Sequence, residues 1–285
     1  MGSEKGSLAC VGLGMMLGAH LGPRARSHIE QADVVFVVAS DPIVELWVQG
    51  MHPDVRSLQP LYADGKSRHE TYRGMVSAML AEVRAGHRVC GAFYGHPGVF
   101  ALVPHQAIAL AREEGYSAHM EPAVSAEDCL YADLGIDPGT FGCQHYEASQ
   151  FMFCRRRIDP SAWLVLWQVG VAGDRSIRRA TTGREHRALL VERLAEDYPR
   201  HHRVVLYEAA TLPIGRPRTG ELPLEAIIGA DVRPQTTLVL PPAVAMQRDE
   251  TMLGRVASLE RRLQRNTSPD AGKRGAMHVE GNRVS

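Results

Sequence analysis

Residues 94–100 have the sequence Tyr-Gly-His-Pro-Gly-Val-Phe, and this segment is called the YGHPGVF loop. Its residue types are suited to binding a ligand. Two glycines and a proline fix an accessible backbone directly after a predicted strand at residues 87–93. Open α/β sheets bind ligands at the carboxyl ends of their strands. Composition equally allows a structural turn in which Tyr94 and Phe100 are core residues.

Arg68 and Tyr72 form a second pair with chemical potential. Residues four apart share one helix face, so the guanidinium is expected near the phenol. A nearby cation favours the ionised phenol, and the start of a helix adds a positive field for an anion. The alternative is that Tyr72 is the first core residue of an amphipathic helix and Arg68 a solvated charge.

Gly12, Gly14 and Gly18 follow the first predicted strand and invite comparison with a dinucleotide-binding turn. Their spacing differs from that fingerprint, and the acidic residue expected after the second strand could only be Asp41. Because Pro42 follows it, Asp41 is at least as well suited to capping a helix. A tight strand-to-helix turn is therefore the favoured interpretation.

Hydrophobic periodicity predicts elements that hold these residues in an α/β fold. Residues 33–38 are a β-branched run typical of a parallel strand covered on both faces. A capping box at residues 67–70 opens the clearest helix, which Gly86 ends. The remaining predictions are strands at 7–12, 87–93, 116–120, 163–167, 204–207 and 237–240, and helices at 23–32, 104–114, 185–197 and 249–264. A further helix is predicted after residues 121–124 and through Asp133.

We expect two folded domains: residues 1–120 as an N-terminal α/β domain carrying the YGHPGVF loop, and residues 121–245 as a C-terminal α/β domain. Residues 135–142, rich in glycine and proline, are interpreted as a loop. Residues 246–285 are expected to hold a helix and then, from Asn266, a polar disordered tail.

Composition excludes several classes of protein. The 32 Lys and Arg residues balance 32 Asp and Glu residues, so neither nucleic acid nor an anionic membrane is indicated as partner. No apolar run reaches the length of about 20 residues that a membrane span needs. Five cysteines without a Cys-x-x-Cys pair indicate reduced, mostly buried thiols in a cytoplasmic protein.

Further segments combine with the YGHPGVF loop into a family signature, and the chain resembles the tetrapyrrole methylases. Within them it is most similar to the borosin peptide α-N-methyltransferases. The resemblance spans residues 7–242. Its matching segments are residues 12–14, 61–62, 68, 72, 93–100, 109, 111–116, 125–128, 132–134, 147–148, 167–170 and 241–242.

The resemblance implies a two-domain tetrapyrrole-methylase-like fold that binds S-adenosylmethionine (SAM) in the cleft between the domains. It further implies transfer of methyl groups to backbone amides of a ribosomally made precursor peptide, by a homodimer. The reaction chamber would be lined by Arg68, Tyr72, Tyr94 and Tyr62. The cofactor contacts would fall on Tyr94, His96, Val99, Ser125, Ala126, Gln168, Ala210, Thr236 and Thr237.

A peptide nitrogen needs such residues because its lone pair is delocalised and its proton is weakly acidic. Tyr72 is the expected base, with Tyr94 as oxyanion stabiliser or second base. Methyl displacement needs no metal, and none is expected. The histidines considered as ligands, which lack ligand spacing, are His52, His69, His105, His145, His201 and His202.

Fused members of the family carry their substrate as an apolar C-terminal extension, whereas residues 266–285 are polar. The resemblance therefore implies the split form, whose precursor is supplied in trans. Two alternatives remain: methylation of a tetrapyrrole or another small molecule, and a non-catalytic protein that binds a precursor peptide.

Overall fold

The computed structural model describes residues 5–39, 41–62, 67–175 and 181–267. Its contacts divide the chain into residues 1–244 and residues 245–285, which are described separately. The strands are β1 (Ser7–Gly12), β2 (Val34–Val38), β3 (Val55–Ser57), β4 (Arg88–Phe93), β5 (Ser117–Glu121), β6 (Cys143–Glu147), β7 (Trp163–Trp167), β8 (Arg203–Glu208), β9 (Arg218–Pro223) and β10 (Thr237–Leu240). The α-helices are α1 (Pro23–Gln31), α2 (Pro42–Gln49), α3 (Arg68–Arg84), α4 (Leu102–Glu113), α5 (Ala126–Leu134), α6 (Pro138–Phe141), α7 (Ala148–Phe153), α8 (Arg184–Leu194) and α9 (Glu250–Thr267).

The first sheet has the order β3-β2-β4-β1-β5 and is parallel throughout. All five residues of β2 are buried, which confirms the expectation drawn from its continuous apolar run. Parallel strands bring their carboxyl ends to one edge. The segments that follow β1, β3 and β4 therefore come together there.

Helices cover both faces of this sheet, as its strands require. On one face, Met75 and Met79 of α3 and Val103 of α4 join a core with the inward residues of the strands. On the other face, Ile29 of α1 and Val44 of α2 do the same. The capping box is present at the start of α3, with the Ser67 amide donating to Glu70 over 3.3 Å.

The second sheet is mixed, with the order β6-β7-β10-β8-β9. β6 and β7 are parallel, whereas β10 and its neighbours run antiparallel. Phe151 of α7 and Leu190 of α8 are completely buried in the core on one face of this sheet. The predicted strands at 163–167 and 237–240 are confirmed with the same bounds.

Several elements of the second half differ from the sequence prediction. The segment predicted as a loop at 135–142 contains the short helix α6. The strands β6 and β9 and the helix α7 were not predicted. Residues of β9 are half-buried or exposed at the edge of the sheet, so no apolar alternation marks them. The domain division at residues 120 and 121 stays a prediction.

Residues 245–285 contain α9, which confirms the predicted amphipathic helix. The helix continues through Thr267, two residues into the segment expected to be disordered. The rest of that tail, residues 268–285, lies outside the described part of the chain. The apolar residues of α9 that are exposed are Met252, Leu253, Val256, Leu259 and Leu263.

All five cysteines are free thiols, as expected. Cys10 and Cys90 are buried, Cys129 and Cys143 half-buried, and Cys154 exposed, so the expectation of mostly buried thiols holds only in part. Burial raises the pKa of Cys10 to about 12. Within the described ranges, none of the helices has the length and apolar character needed to cross a membrane.

Candidate functional site

The two glycine-rich turns predicted from the sequence contact each other directly. The amide of Gly14 donates to the Gly95 carbonyl at 3.2 Å, and the amide of Gly95 returns the bond to Gly14 at 2.9 Å. Gly12 lies where this contact is tightest. A Cβ there would lie 2.5 Å from the Gly95 carbonyl oxygen and 2.5 Å from the Ala123 Cβ. The absence of a side chain at Gly12 lets three chain segments meet.

The YGHPGVF loop is rigidly folded upon itself. Gly95 has a positive φ of 63°, which glycine accommodates without strain. The Gly98 amide donates to His96 Nδ1 at 2.9 Å, so this ring nitrogen is used in a hydrogen bond within the loop. Phe100 has a φ of 49°, an unfavourable conformation for a residue with a side chain. Such strain is concentrated at functional sites.

The position of Asp41 decides whether it could serve as the acidic residue of a dinucleotide-binding turn. Its carboxylate accepts a hydrogen bond from the Ile43 amide at 2.8 Å and caps α2. The carboxylate therefore has the capping role that the sequence favoured for it.

Tyr62 and Tyr72 lie together beside the carboxyl edge of the first sheet. Their rings meet edge to face with centroids 6.5 Å apart. The Thr71 hydroxyl donates to the Leu61 carbonyl at 3.3 Å, which fixes α3 against the turn that carries Tyr62. Both tyrosines thus belong to the stretch of chain that leads from β3 into the first turns of α3.

Tyr94 joins this group from the end of β4, where its amide donates to the Val38 carbonyl at 3.0 Å. Its electrostatic interaction with Tyr72 and with Arg68 shows that all three belong to one cluster. The cluster of Tyr62, Arg68, Tyr72 and Tyr94 is called the tyrosine cluster. Tyr62 and Tyr94 keep 44% and 48% of their surface exposed, so a ligand can reach them.

The environment keeps two phenols of the tyrosine cluster protonated. Desolvation raises the pKa of Tyr62 well above its usual range, and Tyr72 and Tyr94 add to the shift while Arg68 opposes it. For Tyr94, desolvation by the protein packed around the phenol raises the pKa, Tyr72 raises it further, and Arg68 opposes both. Both groups are therefore hydrogen-bond donors at neutral pH.

Ser125 and Ala126 lie at the start of α5, close to the glycine turns. Ser125 caps this helix, and its hydroxyl donates to the Asp128 carboxylate at 2.7 Å. Gly12 approaches Ala123, two residues before Ser125, and this connects the start of α5 to the YGHPGVF loop. The predicted cofactor contacts of Ser125 and Ala126 stay predictions.

Gln168 directly follows β7, whose last residue, Trp167, contacts the YGHPGVF loop. Its φ of 60° makes it the second described residue other than glycine with a positive φ. The Phe100 ring lies 5.6 Å from the ring of Trp167, the residue before Gln168. Phe100 and Gln168, the two residues with a strained backbone, thus lie at a contact between the chain segment that follows β4 and the end of β7.

The other predicted cofactor contacts divide by exposure. Ala210 is half-buried and precedes Thr211, whose carbonyl accepts from the Leu17 amide at 2.9 Å. Thr236 is completely buried, and its hydroxyl donates to Glu208 at 2.5 Å. Thr237 is 2% exposed and pairs with Tyr207 in the sheet. The Thr236 side chain is thus enclosed by the protein, whereas Ala210 keeps part of its surface exposed, and all three contacts stay predictions.

Glu208 is the centre of a polar cluster in the second sheet. It is 6% exposed and forms ion pairs with Arg218 at 2.7 Å and Arg233 at 3.3 Å. With the bond from Thr236, these partners satisfy a carboxylate that would be costly to bury alone.

A hydrogen-bonded chain beside the site was missed by sequence reasoning. Trp167 Nε1 donates to His145 Nδ1 at 3.1 Å, so His145 must carry its proton on Nε2 and donate to the Tyr131 hydroxyl at 2.7 Å. Tyr131 then donates to Glu127 at 3.0 Å. His145 was expected to be a surface or packing residue, and no spacing in the sequence signals this chain. It fixes Glu127 immediately after Ala126.

Residues 7–223 match the family of Tetrapyrrole (Corrin/Porphyrin) Methylases. Among curated proteins, the chain is 44% identical over 216 residues to a "Methyltransferase/ribosomally synthesized type I borosin cyclic peptide precursor" from Coprinopsis marcescibilis, covering 75% of this chain and 55% of that protein. It is 40% identical over 244 residues to a methyltransferase and omphalotin A precursor from Omphalotus olearius, covering 84% and 58%. The chain therefore spans somewhat more than half the length of these relatives.

Solved structures show the same fold. The uroporphyrin-III-C-methyltransferase from Thermus thermophilus superimposes with a TM-score of 0.59 at 20% identity, covering 87% of this chain and 99% of the other. A cobalt precorrin-4 methyltransferase gives a TM-score of 0.59 at 16% identity, covering 83% and 95%. At these identities the likeness concerns the fold alone.

Proposed function

Because the chain belongs to the tetrapyrrole methylase family, we propose that it is a SAM-dependent methyltransferase acting on backbone amides of a ribosomally made peptide. The observation that carries this proposal is the tyrosine cluster at the carboxyl edge of the first sheet. The names of the relatives, which pair a methyltransferase with a peptide precursor, support a peptide as acceptor.

The reaction requires removal of a proton that an amide holds tightly. The nitrogen lone pair is delocalised into the carbonyl, so the amide becomes nucleophilic only as its proton leaves and negative charge develops on its oxygen. A competent site therefore needs a base near the nitrogen and hydrogen-bond donors or a cation near the oxygen.

We assign the base to Tyr72, whose phenolate would take the amide proton and become the phenol, and the stabilisation of the oxygen to its neighbours. Arg68 supplies a positive charge within the same cluster, since it favours the ionised forms of both Tyr62 and Tyr94. Tyr94 and Tyr62, held protonated by desolvation, are suited to donate hydrogen bonds to the developing oxyanion rather than to accept the proton. The role of Tyr94 as second base, which the sequence left open, is the less favoured one.

The residues beside the tyrosine cluster fit SAM. The exposed rings of Tyr94 and Phe100 offer π faces that attract a sulfonium cation, and the YGHPGVF loop offers backbone groups at the carboxyl ends of parallel strands. Bound there, SAM would supply an electrophilic methyl group. We assign its contacts to Tyr94, His96, Val99, Ser125, Ala126, Gln168 and Ala210, with Thr236 and Thr237 limited to backbone or indirect contact.

We further propose that the precursor peptide is supplied in trans to a homodimer. Both the trans supply and the dimer rest on the family resemblance. Intact mass spectrometry should show the peptide gaining methyl groups while the mass of the chain stays constant, and light scattering should give twice the chain mass.

The acceptor is tested by competition between substrate classes. The purified chain is incubated with SAM and, in separate reactions, with a peptide encoded beside its gene, a library of apolar peptides, and uroporphyrin III. We expect methyl groups on peptide backbone nitrogens in tandem mass spectrometry. Methylation of the tetrapyrrole alone would instead support the small-molecule alternative, and binding of peptide without turnover would support the non-catalytic one.

A further inference from the structure

Two histidines and a glutamate form a compact cluster away from the tyrosine cluster. His28 Nε2 and His119 Nε2 lie 3.2 Å apart. Glu121 Oε1 lies 3.6 Å from the first of these nitrogens and 3.7 Å from the second. All three side chains thus direct a potential ligand atom toward one point.

The fold explains why residues distant in sequence converge there. His119 and Glu121 are two apart on β5, so both project from the same face of the edge strand. Ile29, the neighbour of His28, is buried in the core beneath α1 on that face. Ala118 belongs to the core on the opposite face, where α3 carries Tyr72. The sheet therefore separates this cluster from the proposed chemistry.

The distances match those of a metal-ligand set. Zinc binds histidine nitrogen and carboxylate oxygen at about 2.0–2.2 Å, which for tetrahedral geometry places ligand atoms about 3.3–3.6 Å apart. The observed separations of 3.2, 3.6 and 3.7 Å bracket that value. An ion could be accommodated with side-chain movements of a few tenths of an ångström.

One cationic side chain already contacts the cluster. Arg24 donates a hydrogen bond to Glu121 Oε1. Arg24 is the competitor for Glu121, at 2.6 Å, but its side chain is 79% exposed and can turn into solvent.

We propose that His28, His119 and Glu121 bind a divalent transition-metal ion of the zinc class, which clamps α1 to the edge strand β5. Two imidazoles and one carboxylate select zinc over magnesium or calcium, which favour oxygen ligands. Three protein ligands leave a fourth position for water. The sequence analysis expected no metal, whereas this proposal includes one. His28 and His119 are 91 residues apart, so their spacing could not indicate a shared site. The His-x-Glu spacing on β5 was the single local signal in the sequence.

Isothermal titration of the chelator-treated full chain with ZnCl₂ tests the proposal. We expect one ion per chain, a raised melting temperature, and a cobalt(II) derivative with the visible absorption of a tetrahedral site. His28→Ala and His119→Ala should each weaken zinc binding by at least about 100-fold, the upper end of what loss of an outer hydrogen-bond partner costs. Arg24→Ala should leave the affinity unchanged or increase it.

His87→Ala is the matched control. His87 lies 2.7 Å from the Glu82 carboxylate, so it also pairs with a carboxylate, but this pair contains one histidine instead of two. This variant should bind zinc as the unaltered chain does. Circular dichroism verifies that each variant is folded, and the titration of the unaltered chain needs no variant at all. Failure of the unaltered chain to bind zinc, preference for magnesium, or equal binding by the folded His28→Ala chain would overturn the proposal.

Discussion

The two sheets of residues 1–244 differ in what their strand ends carry. In the parallel first sheet, the segments after β1, β3 and β4 meet at one edge and bring together the glycine turns and the tyrosine cluster. In the mixed second sheet, Glu208 forms ion pairs with Arg218 and Arg233, and Trp167 contacts Phe100 of the YGHPGVF loop. We propose from this difference that the first sheet supplies the reacting groups and the second encloses them.

The largest effect is expected in the first sheet, from Tyr72→Phe. Removing the proposed base should lower methyl transfer by about 10²- to 10⁴-fold, the usual contribution of a positioned general base. SAM affinity should change little, because Tyr72 is assigned to the acceptor. Single-turnover kinetics and calorimetric SAM titration separate the two quantities.

Tyr146→Phe is the control for this prediction, since Tyr146 packs against the core of the second sheet and should leave the rate unchanged. A Tyr72→Phe chain with the original rate would show that another group removes the proton. The roles proposed for the two sheets would then have to be revised, with the base placed at a residue other than Tyr72.

Gly12→Ala should produce the next effect, on cofactor binding. Its Cβ would meet the Gly95 carbonyl oxygen at 2.5 Å and Pro97 Cδ at 2.8 Å, so the loop must move. Overpacking of this kind costs about 1–3 kcal/mol, or roughly a 5- to 150-fold loss of SAM affinity if the whole cost falls on binding. Titration with S-adenosylhomocysteine measures it.

Gly220→Ala is the corresponding change in a strand of the second sheet. Among the described residues, nothing lies within 4 Å of a Cβ at Gly220. Cofactor affinity should be preserved in this variant. Equal losses in both variants would contradict the assignment of the cofactor site to the first sheet's glycine turns.

Glu208→Gln should affect stability rather than chemistry. The amide retains the shape of the carboxylate but weakens its bonds to Arg218 and Arg233, at a cost of about 1–2 kcal/mol in the free energy of unfolding. Urea denaturation measures the change. In contrast, Glu221→Gln breaks an exposed pair with Arg203 and should stay within about 0.5 kcal/mol. A large loss of rate in a stable Glu208→Gln chain would contradict a purely enclosing role.

The smallest effect is expected from Asp33→Asn, at the start of β2. Hydrogen bonds from Arg88 lower the pKa of Asp33, so the folded-state pKa lies below the unfolded one. Its stabilisation is therefore present above the unfolded pKa of about 3.9 and disappears as the pH falls through the folded value. Because the pair is exposed, we expect about 0.2–1 kcal/mol at neutral pH, reduced by 1 M salt and absent in acid. Urea unfolding across this pH range measures it, and a difference that persists in acid would point to another cause.

Three strands of the first sheet, β1, β2 and β4, were predictable from sequence for a physical reason. They are buried and appear as nearly continuous apolar runs, and parallel topology places their carboxyl ends together without further information. The position of Tyr94 beside the glycine turns follows from this rule. The short strand β3, whose residues are half-buried or exposed, was not predicted. Half-exposed β6 and β9 carry no such pattern and were missed.

Within the candidate site, sequence could identify residues but not their surroundings. The family resemblance placed Thr236 among the cofactor contacts, whereas its complete burial depends on packing around Glu208. Desolvation raises the pKa of Tyr62 and of Tyr94, and its extent depends on how the folded chain packs around each phenol. Long-range contacts of this kind leave no local periodicity to detect.

In the proposed reaction, the first sheet's tyrosine cluster takes a proton from a backbone amide so that the amide nitrogen accepts the methyl group. The most direct measurement is tandem mass spectrometry of a methylated peptide and of the same peptide with proline at the modified position. Proline has no amide proton, so we predict a methyl group on the backbone nitrogen of the first peptide and none at that position in the second. A methyl group on a side chain, or one retained at the proline position, would contradict the account.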